Sequence, residues 1–585
     1  MAAEKTSTAE DWEKAEGVPS LSDPFIQKYL SGRDALVQQE KQQRMKFQPS
    51  YQSDYLFRKN LSPTAAEASA IVSQIRFEEQ QTLWTKDYED SLVSQHVDVF
   101  PGMMFYLARD RIDKSKLWKI VRKMPKGALL HCHLEAMPDL DWVLEEAFQT
   151  EGVCLISDAP LTSAEARLKT GFSFTYSKIS ARSDVSIWSN DYAASTKIPL
   201  NLAADSFPDG GRKGFIEWVR SRVTITPEEH LKHHEGPNEA WRKFISCFPI
   251  LGSLIYYEPI FRKFIRKLLR DLLADGVYYV DMRSAFYTPY RCLGQEEWEP
   301  DFINYCDHLE DEIAKFKASE EGKDFWGARM IWTTVRAMDK RSVINSMNLC
   351  IATKLEFSDL IAGYDFVGQE DAGRSLSDLM PELFYFRKAC AENGVNIPFF
   401  FHAGETLGDG DSVDENLFDA ILLGTRRIGH GFSLYKHPLL IDMVKEKKIL
   451  IESCPVSNEA LRLCGSIMSH TLPALLARGV PCSLSNDDPT ILGQQVSGMS
   501  HDFWQALQGW ENLGLEGLGS LAENSVRWAS YEDYTPEEWG ASVRDGSMGK
   551  GVRAERLKEW TRRWERFCAW IVDEFGVDEN VEPKE

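Results

Sequence analysis

The sequence predicts an α/β protein, a (β/α)8 TIM barrel with an N-terminal helical extension and an insertion after the first barrel strand. Two observations carry this reading. Eight short apolar runs of strand character alternate with helix-patterned stretches from residue 124 onward, the order that builds a parallel sheet closed on itself. Histidines and carboxylates begin where several of those runs end, at the lip that holds the active site in such barrels.

Residues 1 to 123 show no strand-like alternation but several helical stretches, notably Thr64 to Asp87 and Met103 to Lys123. The polar run Gln38 to Arg44 before them suits a solvated helix face. Met124-Pro-Lys-Gly127 then reads as a turn, and the first strand follows, ending in His131-Cys-His133-Leu-Glu135. The other strands are Val277 to Met282, Ala328 to Thr334, Leu360 to Val367, Ile397 to His402, Arg427 to His430, Lys448 to Cys454 and Val480 to Ser485. Helical patterns such as Pro381 to Asn393, Leu439 to Lys447 and Leu472 to Arg478 separate most of them. About 140 residues lie between Glu135 and Gly276, far more than a βα connection needs. The part from 151 to 249, rich in Ser, Thr, Asp and Gly, is therefore read as an inserted subdomain or long lid. The barrel spans 124 to 510, and 511 to 585 is helical again and closes it.

With 585 residues, 43% hydrophobic and 27% charged, the chain has ample material for a large core. A formal charge of -22 argues against nucleic acid or an anionic membrane as the main partner. The first residues lack the apolar core of a secretory signal, and no apolar run reaches membrane-spanning length. A cytoplasmic protein is expected. Its eleven scattered cysteines, with no C-x-x-C pair, fit thiols in a reducing compartment.

The strand Ile397 to Phe401 delivers His402 and, three residues later, Glu405, a metal ligand beside a general acid or base. His131 and His133 stand two apart on one strand and share a face, so both can meet one ion. With Asp487 from Ser485-Asn-Asp-Asp-Pro489 they make three imidazoles and one carboxylate, His131, His133, His402 and Asp487, the ligand types zinc selects. Each also has a structural reading: Asp487-Asp488-Pro489 as a turn or helix cap, and His430 between two glycines as a tight turn. Arg283, at the end of the second strand, is taken as structural.

The strings His-Cys-His-Leu-Glu-Ala, Asp-Phe-Val-Gly-Gln-Glu, His-Ala-Gly-Glu, Arg-Ile-Gly-His-Gly and Ser-Asn-Asp-Asp-Pro, in this order, resemble the adenosine deaminase family of metal-dependent hydrolases. The resemblance spans about 124 to 510 and is nearest to the adenosine deaminase-related growth factor branch. It implies hydrolytic deamination of adenosine or 2′-deoxyadenosine with one zinc per chain, whose bound water is acidified toward about pH 7. It further implies that Glu405 protonates purine N1, that His430 orients the attacking oxygen, that Asp487 serves both metal and catalysis, that Asp488 meets N7 and that the Gly368 N–H faces N3. Glu135 is left between a ribose contact and a structural carboxylate. The branch also implies a homodimer built on the N-terminal helices, where Leu83, Trp84, Val97, Phe100, Met103, Met104 and Phe105 offer an apolar face, with part of the insertion narrowing access to the zinc.

Two departures stand out. Animal members of the branch are secreted and carry a disulfide in the insertion, whereas here only Cys154 and Cys247 lie near that region. The usual His-x-His-Leu-Asp-Gly is here His-Cys-His-Leu-Glu-Ala. The alternatives are deamination of AMP, adenine or another amino-purine on the same barrel, or a signalling protein on a deaminase scaffold. Deaminases built on Pro-Cys-x-x-Cys are excluded, since no C-x-x-C exists.

Overall fold

The computed structural model describes residues 53–84, 105–178, 184–230, 236–286 and 289–576, with isolated positions at 24, 27, 28, 31 and 232. Eight parallel strands form its centre: β1 Gly127–Leu129, β2 Val277–Ala285, β3 Gly327–Val335, β4 Ile361–Val367, β5 His402–Ala403, β6 Arg427–His430, β7 Leu450–Ser453 and β8 Cys482–Leu484. Pairing runs β1-β2-β3-β4 in one set and β8-β7-β6-β5 in the other. Parallel bridges from Tyr364 to Phe399 and from Cys132 to Asp487 join the sets and close the barrel. The strands read as unbroken apolar runs because both faces are covered; β4 is buried at every position.

β5 is shorter than the run Ile397 to His402 suggests, because Pro398 has no N–H to give a ladder. The chain before it is still held on both sides. Phe400 N–H donates to Tyr364 O at 3.0 Å, and the Phe399 carbonyl accepts from Arg426 N–H at 3.0 Å.

Between β1 and β2 the insertion builds its own antiparallel sheet, with Val153–Ser157 between Phe172–Tyr176 and Ile198–Pro199. Its last helix, Gly236–Ile255, runs through the boundary expected at 249. Pro249 removes one helical hydrogen bond, but Trp241, Phe244, Ile250, Leu251 and Leu254 are buried on either side of it and carry the helix through. Cys154 and Cys247 are both free thiols.

The helix Pro63–Thr82 starts where Ser62 caps it, its hydroxyl accepting from Ala65 N–H at 3.1 Å. The stretch Met103 to Lys123 is two helices, Phe105–Ile112 and Lys116–Lys123, because Ser115 accepts from Trp118 N–H at 3.0 Å and restarts the helix there. Pro63–Thr82 packs on the C-terminal helices Gly514–Trp528 and Val552–Phe575, with Ala65, Ala68, Val72 and Ile75 buried. Trp84 is buried beside Trp504, ring centroids 5.9 Å apart, and Phe105 is buried too. That part of the expected dimer face is therefore covered by its own chain. Leu83 is half-buried, while Val97, Phe100, Met103, Met104 and the run Gln38 to Arg44 lie outside the described residues.

Candidate active site

The ends of β1, β5, β6 and β8 converge, and with them four histidines and two carboxylates. One ring nitrogen each of His131, His133 and His402 lies within 4.8 Å of the others. Asp487 Oδ1 is 3.2 Å from Nε2 of His131 and 3.2 Å from Nε2 of His133. The backbone is set for this gathering. His430 and Asp487 hold left-handed conformations, φ 61° and 56°, which cost about 1–3 kcal/mol each in a non-glycine residue. Gly429 makes room beside them, since a Cβ there would lie 2.7 Å from His131 Cε1.

Behind the imidazoles stands a buried ionic frame built round Arg283, which the sequence reading took as structural, and round carboxylates to which it gave no role. Glu452 Oε2 lies 2.8 Å from His131 Nδ1, and Asp365 Oδ2 lies 2.6 Å from His402 Nδ1. These carboxylates hold the rings with Nε2 inward, the usual device for orienting metal-binding histidines. Arg283 sits between them, 2.8 Å from each carboxylate, and also donates to Leu130 O and Phe400 O. Arg427 adds a second cation on Glu452 and reaches Asp281 at 2.9 Å. Burial alone would raise Glu452, yet Arg283 and Arg427 hold it well below the ordinary glutamate range.

His430 is oriented by a different chain of hydrogen bonds. Leu472 N–H donates to His470 Nδ1 at 3.0 Å, so His470 Nε2 carries the proton and donates to Asn458 Oδ1 at 3.0 Å. The Asn458 amide then faces His430 Nδ1 at 3.0 Å. His430 Nδ1 is thereby the acceptor, and its proton lies on Nε2, 3.4 Å from Glu405 Oε1 and 3.6 Å from Asp487 Oδ2. Burial keeps His470 neutral, its pKa pushed down to about 3.

Glu405 is fixed through its main chain, with its N–H donating to Glu370 Oε1 at 2.9 Å. Burial, then the Asp487 and Glu370 carboxylates, push Glu405 well above the ordinary glutamate range, which favours its protonated form. Asp487 goes the other way: burial would raise it, but His430 and the other imidazoles hold it well below. Two carboxyls with pKa values driven apart mark an acid and an anion sharing one site. Asp488 is raised by burial and by Asp487, and neither of its oxygens has a hydrogen-bond partner.

A cavity of about 220 Å³ opens above this cluster. His133, His402, Glu405, His430 and Asp487 line its floor, with Glu135 and Gly368 beside them. Asp488 is fully buried and is not among the residues that line it. Glu135 Oε1 accepts from Tyr256 Oη at 2.5 Å, Ala285 N–H at 2.9 Å and Ser284 Oγ at 3.3 Å. The far wall is Trp241, Phe244, Ile245, Phe248 and Pro249 of the insertion helix.

The donor set fits a divalent ion. His131 Nε2 and Asp487 Oδ1 are buried without a hydrogen-bond partner, a costly state unless something bridges them. Cys454 also lies near His131, His430 and Asp487, but burial and then Asp487 push its thiol well above the ordinary value, so it is a poor ligand.

A family model described as Adenosine deaminase matches residues 223–538. The chain belongs to the adenosine deaminase family. Adenosine deaminase 2-A of Danio rerio is 31% identical over 447 residues, covering 75% of this chain and 82% of that protein. Adenosine deaminase 2 of Homo sapiens is 30% identical over 477 residues, 81% and 84% of the two chains, and that of Dictyostelium discoideum 26% over 562 residues, 96% and 90%. These relatives place the chain in the growth-factor-related branch of the family, whose deaminases are metal-dependent. The family match includes His402, Glu405, His430, Asp487 and Asp488 but begins after His131, His133 and Glu135. Barrel closure brings the two groups to one point.

Proposed function

We propose that this aminohydrolase is zinc-dependent and converts adenosine or 2′-deoxyadenosine to the inosine-type product and ammonia. One observation carries the reading: the Glu405 carboxyl and His430 Nε2, 3.4 Å apart, stand together over an inward-facing set of His131, His133, His402 and Asp487. When bound there, zinc supplies an acidified water as the nucleophile. The rest is the work of the chain. Glu405 gives its proton to purine N1, which makes C6 electrophilic. His430 directs its N–H at the developing charge and holds the attacking oxygen on one face of the ring. Gly368, with φ 99°, offers a backbone N–H to N3 at a position few other residues can hold. Asp488, which the resemblance assigns to N7, is fully buried and does not line the cavity, so no contact to the purine is proposed for it. Glu135, tied down by Tyr256, Ser284 and Ala285, keeps one oxygen for a ribose hydroxyl.

Among the described residues no Lys or Arg lines the cavity, which favours a nucleoside over AMP. A signalling scaffold would have no need to keep the acid, the imidazole and the metal set in register. Purified protein should hold about one zinc per chain and release ammonia from adenosine. Chelation should abolish the release, added zinc should restore it, and His402→Ala should lose the metal. Metal content well below one per chain, or ammonia release indifferent to chelation, would overturn the assignment.

We further propose a cytoplasmic homodimer. Eleven free thiols fit a reducing compartment, and the dimer rests on the branch resemblance. Light scattering should give twice the 66.7 kDa chain mass, whereas a stable species at the chain mass means a monomer. Deletion of residues 1–100 should abolish the dimer, and a truncated protein that stayed dimeric would place the interface elsewhere.

A further inference from the structure

Strands β5, β6 and β7 are parallel, so the residues just before their first positions gather at the end of the barrel opposite the metal ligands. There residues 397–399, 424–426, 447 and 449 line a second cavity, of about 470 Å³. The helix Met380–Glu392 contributes Phe386 and Arg387 to it, and the helix Pro536–Asp545 contributes Trp539.

The lining carries the opposite sign from the rest of the chain. Arg387, Arg426 and Lys447 all face the cavity, and no carboxylate is among the described residues that line it. In a protein of formal charge -22 this is a local reversal of the field. None of the three cations forms an ion pair among the described residues. The two arginines are steadied by carbonyls and rings instead. Arg387 donates to Leu423 O and lies over Phe399, 5.2 Å from the ring centroid. Arg426 donates to Tyr534 O and lies 4.7 Å from the centroid of Trp539.

Arg426 is the most confined of them. Only 7% of it is exposed, and a buried charge without a counter-charge is costly. The next residue, Arg427, has Glu452 and Asp281, but Arg426 has no such partner. Burial, then Arg553, push its pKa down to about 9. Asp533 opposes them, yet it is already engaged by Arg329 and Lys354 at 2.7 Å each. The rest of the wall is apolar, with Phe386, Ile397, Phe399 and Ile449 buried. Apolar walls with a few convergent charged groups are the usual make-up of a small-molecule site, and guanidinium groups suit carboxylate and phosphate oxygens.

We propose that this cavity binds a small organic anion, an apolar body carrying one carboxylate, sulfonate or phosphate group. The anionic group sits at Arg426, with Arg387 and Lys447 strengthening the field, and the body lies against Phe386, Ile397 and Phe399. The site is at the far end of the barrel from the reaction and does not depend on the deaminase reading.

The test titrates the full-length chain, as purified, with anilinonaphthalene sulfonate, whose fluorescence rises when its rings leave water. Saturable binding of one probe per chain is expected. Arg426→Met should weaken it about tenfold or more, the usual scale for losing a hydrogen bond to a charged group. The double variant Arg387→Ser/Lys447→Ser changes two exposed side chains and should weaken it by about the same factor. Phe244→Ser, in the cavity over the metal cluster, should leave it unchanged. N-phenylnaphthylamine, which has the rings without the charge, and inorganic phosphate, which has the charge without the rings, should each bind at least about tenfold more weakly. Absence of saturable binding overturns the proposal, as does an unchanged affinity in the double variant, which alone decides should Arg426→Met fail to fold. Weakening by Phe244→Ser places the probe in the other cavity and overturns it too. Either half of the ligand binding as tightly as the whole probe overturns the pairing of charge with an apolar body.

Discussion

Glu405→Gln is expected to lower kcat/KM for adenosine by ~10²–10⁴-fold, the usual contribution of a positioned general acid, with fold and metal content unchanged. The substitution keeps the shape of the side chain and removes its transferable proton. The main chain of residue 405 is anchored independently of the side chain, through its N–H to Glu370 at 2.9 Å and the Gly404 N–H to the same carboxylate at 3.3 Å, so the loop should not move. The pKa shift gives the sign of the pH dependence. Glu405 is raised by burial and by Asp487 and Glu370, so the active, protonated form is present below its pKa and is lost as pH rises through it. The alkaline limb of the rate profile should therefore belong to Glu405 in the parent and be absent from the residual activity of the variant. A variant within about tenfold of the parent, less than a general acid normally supplies, would remove Glu405 from the mechanism.

The alternation of strands and helices made the barrel legible because a parallel strand buried on both faces writes itself as an apolar run. The candidate ligands stand out in the sequence for a related reason. His131, His133, His402 and Asp487 each interrupt such a run at its end, and polar residues begin there for a function rather than for packing. The residues passed over lie inside the runs. Asp365 within Tyr364-Asp-Phe-Val367 and Glu452 within Leu450-Ile-Glu-Ser453 are lone charges in buried strands, and Arg427 follows Arg426 at the head of β6; a charge there is intolerable unless paired. That was the available signal, but which charge pairs with which depends on barrel closure. The insertion helix was missed by composition. Its Trp241, Phe244, Ile245, Phe248 stripe is plain at helical spacing, yet it lies in a segment whose Ser, Thr, Asp and Gly content was read only as an inserted subdomain or long lid. His470 and Asn458 could not be foreseen, since their role is a hydrogen-bond chain formed only when the helical segment after β7 folds back on β6.

Arg283→Met tests the buried frame and should be the most damaging single change to stability. The guanidinium is fully buried and contacts Asp365 and Glu452 at 2.8 Å each. Methionine fills much of the volume but leaves both carboxylates without the cation between them. They do not suffer equally. Glu452 keeps Arg427, which also pairs with Asp281, whereas Asp365 retains His402 and its backbone N–H alone. Removing one partner of a buried ion pair costs about 3–5 kcal/mol, because the remaining charge is stranded. A stranded Asp365 takes up a proton and ceases to hold His402 with Nε2 inward. The second effect follows from the first: zinc affinity should fall by about 10–100-fold, the usual result of losing a group that orients a metal-binding histidine. Arg427→Met should be milder in metal affinity, since Arg283 still pairs with Glu452 and His131 keeps its orienting carboxylate. Denaturant midpoints with and without zinc, and competition against a chelator, separate the two effects. Parent-like values of both for Arg283→Met would mean that the frame neither stabilises the barrel nor positions the histidines.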